Sequence, residues 1–116
     1  MGAHEIPDEY REDRGAYLAL VIDTMIPAVA EAGLARYCDV FCEDHVFTID
    51  ESRRVLEAAR TAGLGLRIHA DEIESIGGAE LAAELGCDSA DHLVAARDAG
   101  IAALAARDCV ATLLPG

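Results

Sequence analysis

Tryptophan is absent from the 116-residue sequence, and aromatic residues make up only 4% of it. Basic residues are also scarce, since 9 lysines and arginines stand against 22 aspartates and glutamates, for a formal net charge of −13. A surface this acidic repels phosphate backbones and anionic lipid headgroups, which argues against nucleic acid and membrane surfaces as partners. We expect the acidic residues to form a solvated surface that keeps the protein soluble.

Long apolar runs are missing as well. The longest, AYLALVIDTMIPAVA, is interrupted by Asp23 and Pro27 and is too short to span a bilayer. The N-terminus carries no cationic and apolar signal sequence, so we expect a cytoplasmic protein. The opening residues, Met-Gly-Ala-His, already resemble the end of a strand, which suggests a truncated start.

Several motifs of known chemistry are absent. The sequence has no GxGxxG, Walker A, GxSxG or HExxH motif. Its cysteines form no CxxC pair and lack zinc-finger spacing, which favours free thiols in a reducing compartment over a disulfide framework. These cysteines are Cys38, Cys42, Cys87 and Cys109.

Hydrophobic residues make up 53% of the sequence and the mean hydropathy is +0.20, so we expect one folded domain rather than disorder. Helical and extended patterns alternate along the chain. A helical pattern over residues 7–33 should be kinked or split at Pro27. The next helix follows a capping box formed by Thr48 and Glu51, and it ends at Gly63. Two further helices are predicted over residues 77–86 and 97–108.

Short runs of strand-forming residues lie between these helices, at residues 37–43, 64–70, 89–93 and 110–116. Together with a strand end near the N-terminus they give five strand ends, at His4, Glu43, His69, His92 and Leu114. The spacing of the later ends is that of a βα unit. The pattern therefore predicts an α/β fold with a parallel sheet and right-handed crossovers.

Both a doubly wound sheet and a (β/α)8 barrel fit this alternation. Polar residues favour the barrel, because histidines or acids occupy four successive strand ends, at His4, Glu43, His69 and His92. Barrel enzymes build their active sites at the carboxyl ends of many strands, whereas a doubly wound sheet binds ligands mainly at one switch point. A complete barrel needs about 200 residues or more, so we predict a partial TIM barrel over residues 1–116, roughly strands 3 to 7 with their helices.

The stretch LGLRIHADEIESIGG holds the strongest candidate site. His69 ends an apolar strand, where a neutral imidazole can bind a metal ion or transfer a proton. Glu72 follows at the turn and can shuttle a proton. His92 ends the next strand, and its neighbour Asp91 can orient the ring. One divalent ion held there would polarise a carbonyl and lower the pKa of bound water, although the sequence contains no HxH pair and no complete ligand set.

Other features have ordinary explanations beside functional ones. His45 lies in a loop after a strand, and we expect it to face solvent. His4 lies near the N-terminus, where chains often fray, so a functional role and a non-functional position are equally compatible with its place in the sequence. The glycines of IGGAE precede a helix whose first amides either hold an anion or simply follow a flexible turn.

The segments GAHEIPDEYR, CDVFCEDHVFTIDESRRVLEAAR, LRIHADEIESIGGAELAAELG, SADHL and VATLLPG together resemble imidazolonepropionase, a metal-dependent amidohydrolase of histidine breakdown. The resemblance runs through essentially all 116 residues. It implies a (β/α)8 barrel with a small β-sandwich built from both chain ends. It also implies hydrolysis of the ring C–N bond of 4-imidazolone-5-propanoate to N-formimidoyl-L-glutamate, and a homodimer as an assembly that family members often form.

Residue by residue, the resemblance implies four roles. His69 of HADE matches a metal ligand, for zinc or iron, and Glu72 matches the acid/base that also contacts the substrate ring. His4 of GAHE matches a substrate-binding histidine, and His92 of SADHL matches a histidine that helps to activate water. The family's HxH pair and its substrate-gripping arginine and tyrosine would lie upstream, and its aspartate ligand downstream. We therefore expect a middle fragment that is inactive by itself.

Two alternatives stay open. A different amidohydrolase, such as a cyclic amidohydrolase or a deaminase on the same barrel, would share these strand-end residues. A non-catalytic half barrel would instead serve as an assembly module. Its open strand edges and apolar inner face would make it dimerise or aggregate.

Overall fold

A computed structural model describes residues 2–115 and has a four-stranded parallel sheet at its centre. The strands lie in the sheet in chain order: β1 (Tyr37–Cys42), β2 (Gly65–Ala70), β3 (Ser89–His92) and β4 (Val110–Thr112). The helices are α1 (Arg14–Leu20), α2 (Ile26–Glu31), α3 (Ile49–Thr61), α4 (Gly78–Leu85) and α5 (Asp98–Ala105). The predicted α/β fold with a parallel sheet is confirmed. Within residues 2–115, no helix is long and apolar enough to cross a membrane.

The helices cover one face of the sheet. Val40, Ile68 and Ala90 lie in register across β1, β2 and β3, and all three are fully buried in the core that the sheet shares with α3 and α4. The two helices also pack on each other, and Arg53 of α3 donates a 2.7 Å hydrogen bond to Glu84 of α4. A doubly wound sheet carries helices on both faces. One-sided cover and consecutive strand order are instead features of an arc of a barrel.

The strand end predicted at His4 is wrong. Residues 2–4 form a turn, and this segment meets the sheet through a hydrogen bond from the Phe41 N–H to the Ala3 carbonyl, at 2.9 Å. Among the described residues this is the one backbone bond between the segment and β1, and Pro7, a few residues later, has no N–H to donate. The segment therefore lies beside β1 at the sheet edge without becoming a strand.

The last strand is shorter than predicted. β4 ends at Thr112 rather than at Leu114, and its three residues are all exposed. A strand extends where a neighbour supplies hydrogen-bond partners, and β4 pairs with β3 on one side only in the described part of the chain. Residue 116, the last residue of the predicted run 110–116, lies outside the described residues.

The helical pattern over residues 7–33 is split, as the proline predicted. A short 3₁₀ turn (Asp8–Tyr10) precedes α1, and a π-helical turn (Val21–Met25) separates α1 from α2. Pro27 has no N–H to donate, and its ring would clash with the carbonyl one regular turn earlier. The wider turn removes that conflict, because the Ile26 N–H bonds to the Val21 carbonyl five residues back.

The start of α3 is fixed by the predicted capping box. The Thr48 hydroxyl oxygen accepts a 3.3 Å hydrogen bond from the Glu51 N–H, and the Glu51 carboxylate accepts a 2.9 Å bond from the Thr48 N–H. Arg14 of α1 donates to both carboxylate oxygens of Glu51, at 3.2 and 2.7 Å. Glu51 therefore ties α1 to α3. Gly63 and Gly86 end α3 and α4 with φ of +84° and +61°, where glycine is favoured.

All four cysteines are free, as predicted. Burial raises the pKa of the Cys42 thiol to about 11 and that of Cys87 to about 12. Both side chains are neutral at physiological pH and pack in the core as small apolar groups.

Candidate metal and catalytic site

The face of the sheet opposite the helices carries the polar side chains. Its members, called here the open face, are Asp39 and Phe41 of β1, Arg67 and His69 of β2, and Asp91 of β3. They alternate with the buried residues of the same strands, as side chains of a strand do. The buried face of these strands is apolar, whereas four of the five members of the open face are ionisable, so the open face is the candidate surface for chemistry.

Three of the four histidines meet at the carboxyl edge of this face. The ring centroid of His69 lies 5.1 Å from that of His4 and 5.1 Å from that of His92. These three residues are called the histidine cluster below. His45 is exposed and lies outside the cluster, as predicted for a loop residue. Topology thus brings together the three histidines that the resemblance selects and separates the fourth.

A carboxylate connects two members of the cluster, and a second carboxylate lies beside the third. Asp39 Oδ2 is 2.9 Å from His4 Nε2 and 2.9 Å from His69 Nε2. His69 Nδ1 is 3.0 Å from His92 Nε2, and His92 Nδ1 is 3.5 Å from Glu72 Oε1. His4, Asp39, His69, His92 and Glu72 therefore form one continuous chain of polar contacts.

An unusual backbone angle aims the His92 ring into this chain. His92 lies in register with Ala70, a buried residue of β2 on the helix-covered face. An extended backbone would direct the ring toward that face as well. His92 instead has φ of +74°, in the left-handed region, and its ring contacts His69 on the open face. This strained backbone conformation therefore occurs at a residue whose ring joins the histidine cluster.

The prediction that Asp91 orients the His92 ring is wrong. Asp91 Oδ1 is buried without a hydrogen-bond partner, and the two ring nitrogens of His92 contact His69 and Glu72 instead. The left-handed backbone places the His92 ring beside His69 of β2. The residue that approaches the outer nitrogen of His92 is therefore Glu72, from the loop after β2.

Two fully buried carboxylates hold that loop. Glu43, at the end of β1, accepts a 3.0 Å hydrogen bond from the Ile73 N–H. Asp71 has φ of +48° and accepts four backbone N–H bonds of 2.9 to 3.2 Å. The donors are Ile76, Gly77, Gly78 and Ala79. The amides of IGGAE thus do hold an anion, but that anion is the carboxylate of Asp71. Glu72 stands in a loop clamped on both sides.

Sequence reasoning missed Asp39. In YCDVFC it looks like a polar interruption of an apolar strand. Strand alternation was the available signal, because Asp39 falls on the face opposite Val40, two residues before Phe41, and Phe41 is in register with His69. The pairing of β1 with β2 turns that signal into a contact, and the sequence alone does not specify the pairing.

The cluster has a donor set that suits a divalent metal. His4, Asp39 and His69 each offer one ligand atom, and these atoms lie within 4.8 Å of one another. His4 Nδ1 and Asp39 Oδ1 are buried without hydrogen-bond partners. Imidazole and carboxylate ligands are used by both zinc and iron sites. The residues present therefore fit the predicted class of cofactor, with His69 as the predicted ligand and the donor atoms of His4 and Asp39 beside it.

Comparison with curated proteins finds relatives that share one name. No family profile matches the chain. Curated relatives match it along its whole length and are named imidazolonepropionase. The chain is 59% identical over 116 residues to the protein of Alkaliphilus metalliredigens, 55% identical over 115 residues to that of Desulfotalea psychrophila, and 54% identical over 116 residues to that of Geobacillus thermodenitrificans. These matches cover 99 to 100% of the chain and 27 to 28% of each relative.

Proposed function

Since the chain matches the imidazolonepropionase family along its whole length, we propose that it contributes to the catalytic centre of such an enzyme. The reaction is hydrolysis of the ring C–N bond of 4-imidazolone-5-propanoate to N-formimidoyl-L-glutamate, in histidine degradation. One observation carries the proposal: the four residues selected by the resemblance lie in one connected cluster at the carboxyl edge of a parallel sheet.

We further propose that the sheet is part of an amidohydrolase-type (β/α)8 barrel, of which residues 1–116 form a partial domain. The consecutive strand order and the helices on one face support this assignment. In a barrel the open face would line the interior, and the carboxyl ends of the strands would surround the active site. The histidine cluster lies at that end of β2 and β3.

The residues divide the chemistry between them. His69 would hold the divalent ion, zinc or iron, and this ion, when bound, polarises the ring carbonyl and lowers the pKa of a bound water molecule. His4 binds the substrate. Glu72, one-third exposed beside the cluster, accepts a proton from the attacking water and donates it to the ring nitrogen as the C–N bond breaks. His92 lies between Glu72 and His69 and helps to orient the water.

The reading frame around this segment provides the first test. The chain spans about 28% of the length of the relatives it matches, so the remaining ligands must come from flanking sequence. We expect an HxH pair upstream and an aspartate at a strand end downstream. A frame with neither would overturn the proposal.

Substrate preference provides the second test. The protein encoded by the complete frame should hydrolyse 4-imidazolone-5-propanoate and leave aminated purines and pyrimidines unchanged. Turnover of only the aminated bases would assign the segment to a deaminase on the same barrel.

A further inference from the structure

We propose that Asp39 is a positioning residue that holds the substrate-binding histidine and the metal-binding histidine on one carboxylate oxygen. The roles of His4 and His69 in this statement rest on the proposed function. The shared hydrogen bonds do not, because they are distances within the chain. The inference adds to the site a residue that neither the resemblance nor the strand-end pattern selected.

The first argument is the geometry of the shared acceptor. Asp39 Oδ2 lies 2.9 Å from the Nε2 atoms of His4 and His69, which are 35 residues before it and 30 residues after it. The two rings meet edge to face, with an interplanar angle of 74°. Any displacement of this oxygen therefore changes both histidines together.

The second argument is that Asp39 has no competing partner among the described residues. Its other oxygen, Oδ1, is buried without a hydrogen bond. Arg67 is its register neighbour on β2, but the guanidinium of Arg67 lies over the ring of Tyr37, 4.5 Å from the centroid. The carboxylate of Asp39 therefore contacts the two histidines and forms no ion pair with Arg67.

The third argument is rigidity. Asp39 lies inside β1, flanked by Cys38 and by the fully buried Val40, and β1 is paired along its length with β2. A group held on a strand keeps its position more closely than one on a loop. His4, in contrast, lies in a turn near the N-terminus. Asp39 is the side chain that attaches the His4 ring to β1.

The chemistry follows from what a carboxylate can do. It accepts hydrogen bonds only, so both histidines must present an N–H at Nε2. Metal-binding histidines commonly give their second ring nitrogen to such a carboxylate, which sets the ring orientation and raises the basicity of the ligand. Asp39 accepts the Nε2–H of both His4 and His69 and so sets the orientation of both rings. A metal ion on His69 would then use Nδ1, the atom that lies 3.0 Å from His92 Nε2 in this structure.

The test on this chain is a spectroscopic measurement of the imidazole N–H protons. Metal-free protein at about pH 8.5, above the ordinary histidine pKa, should show slowly exchanging Nε2–H signals from His4 and His69. They are assigned by His4→Gln and His69→Gln and are distinguished from the Nε2–H of His92, which faces His69 Nδ1. Asp39→Asn, which removes the charge and keeps the shape, should move both signals upfield together, because charge-assisted hydrogen bonds are the stronger kind. Asp44→Asn, an exposed aspartate after β1, is the matched control and should leave both unchanged.

Every outcome of this experiment decides the shared-acceptor claim. Absence of the two signals in the wild-type chain, or a shift of only one of them in Asp39→Asn, would overturn it. Should Asp39→Asn fail to fold, His4→Gln still tests the geometry: it must remove one signal and leave that of His69 protected. Loss of both signals in His4→Gln would contradict two independent bonds to Asp39.

The complete protein tests the positioning role. Asp39→Asn should weaken zinc binding about 10- to 100-fold, the usual effect of removing such a partner. It should also raise KM at saturating zinc, because His4 is released as well. Complete loss of zinc binding would make Asp39 a ligand and overturn the positioning role. Lack of turnover of imidazolone propionate by the wild type would defeat the proposed function, while the N–H and zinc measurements would still decide the role of Asp39.

Discussion

Glu72 is the residue on which the proposed chemistry depends most. Its carboxylate lies 3.5 Å from His92, at the end of the polar chain where proton transfer is needed. Glu72→Gln keeps the size of the side chain and removes its ability to accept a proton. In the complete protein we expect kcat to fall about 10²- to 10⁴-fold, the usual contribution of a general acid/base.

Glu74→Gln is the matched control for this prediction, because Glu74 is an exposed residue of the same loop. Its kcat should equal that of the wild type. Steady-state kinetics of the three proteins provide the comparison. Equal loss in both variants would show that the loop, rather than the carboxylate of Glu72, was disturbed.

The left-handed backbone of His92 makes a second prediction. Asparagine tolerates this region far better than a β-branched residue does. His92→Val should therefore unfold more easily than His92→Asn, with a free energy of unfolding lower by about 1–2 kcal/mol. Urea denaturation of the two variants measures the difference. Equal stabilities would mean that the φ of +74° relaxes without cost.

Local signals explain how much of the site could be predicted. His69 and His92 were found because each ends an apolar run, and Glu72 because it follows the same run. Asp39 and the orientation of His92 could not be found in this way. The contact of Asp39 depends on which strand lies beside β1. The orientation of His92 depends on one backbone angle, which no pattern of residues predicts.

At the scale of elements, Glu51 connects two helices and carries a pH dependence. Burial acts to raise the pKa of Glu51, but the hydrogen bonds from Arg14 and Thr48 outweigh it and hold the pKa below its ordinary value. The folded state therefore gains stability from ionised Glu51 above the ordinary carboxyl pKa. That gain disappears as the pH falls through the lowered value.

Glu51→Gln should accordingly lower the free energy of unfolding by about 1 kcal/mol at pH 7, through loss of the cap and of the Arg14 contact. The difference in unfolding free energy from the wild type should narrow as the pH falls through the lowered pKa of Glu51, where the wild-type carboxylate also becomes protonated. Urea titrations at pH 7 and at a series of lower pH values measure it. Glu57→Gln, on the exposed side of α3, is the control. A difference that stayed constant with pH would contradict the ion-pair explanation.

The junction of β2 and α4 leaves no room for a side chain. A Cβ on Gly78 would lie 2.8 Å from the Cβ and 3.2 Å from the Cα of Ala70. Gly78→Ala should lower the free energy of unfolding by about 1–3 kcal/mol, because the backbone of a central strand cannot move aside. Gly15→Ala, in the exposed first turn of α1, should raise it by about 0.5–1 kcal/mol. Thermal melts of both variants test the contrast, and a loss of stability in both would refute it.

The elements themselves were largely predictable because their signals are local. The capping box at Thr48 and the glycines at 63 and 86 mark helix ends through contacts of a few residues. Pro27 predicted an interruption for the same reason, although not that the interruption would be a π turn. The strand ends predicted at His4 and Leu114 are wrong because a strand needs a ladder of hydrogen bonds to its neighbour, and that ladder is not a property of the segment's own residues.

At the scale of the whole molecule, the sheet has an unprotected side. β4 is exposed along its length, and large apolar side chains are exposed at Val110, Leu113 and Leu114. Unpaired strand edges with apolar side chains promote association. We expect the chain to self-associate in a concentration-dependent way, measurable by light scattering.

A charge on that edge should reduce the association. Val110→Lys places an ammonium group on β4, and edge lysines oppose strand pairing. Leu34→Lys is the matched control, because Leu34 is equally apolar and 78% exposed but lies outside the sheet. A wild-type chain that remains a monodisperse monomer at high concentration would contradict the prediction.

The consecutive order of the strands has a consequence for synthesis. Each strand pairs with the one made immediately before it. Helix α3 packs on β1 and β2, α4 packs on β2 and β3, and α5 packs on α4. A nascent chain leaving the ribosome thus finds its next partner already present, without waiting for a distant segment. Domains can fold during synthesis from the N-terminal side. The sheet can therefore grow in one direction, with its newest strand always serving as the template for the next.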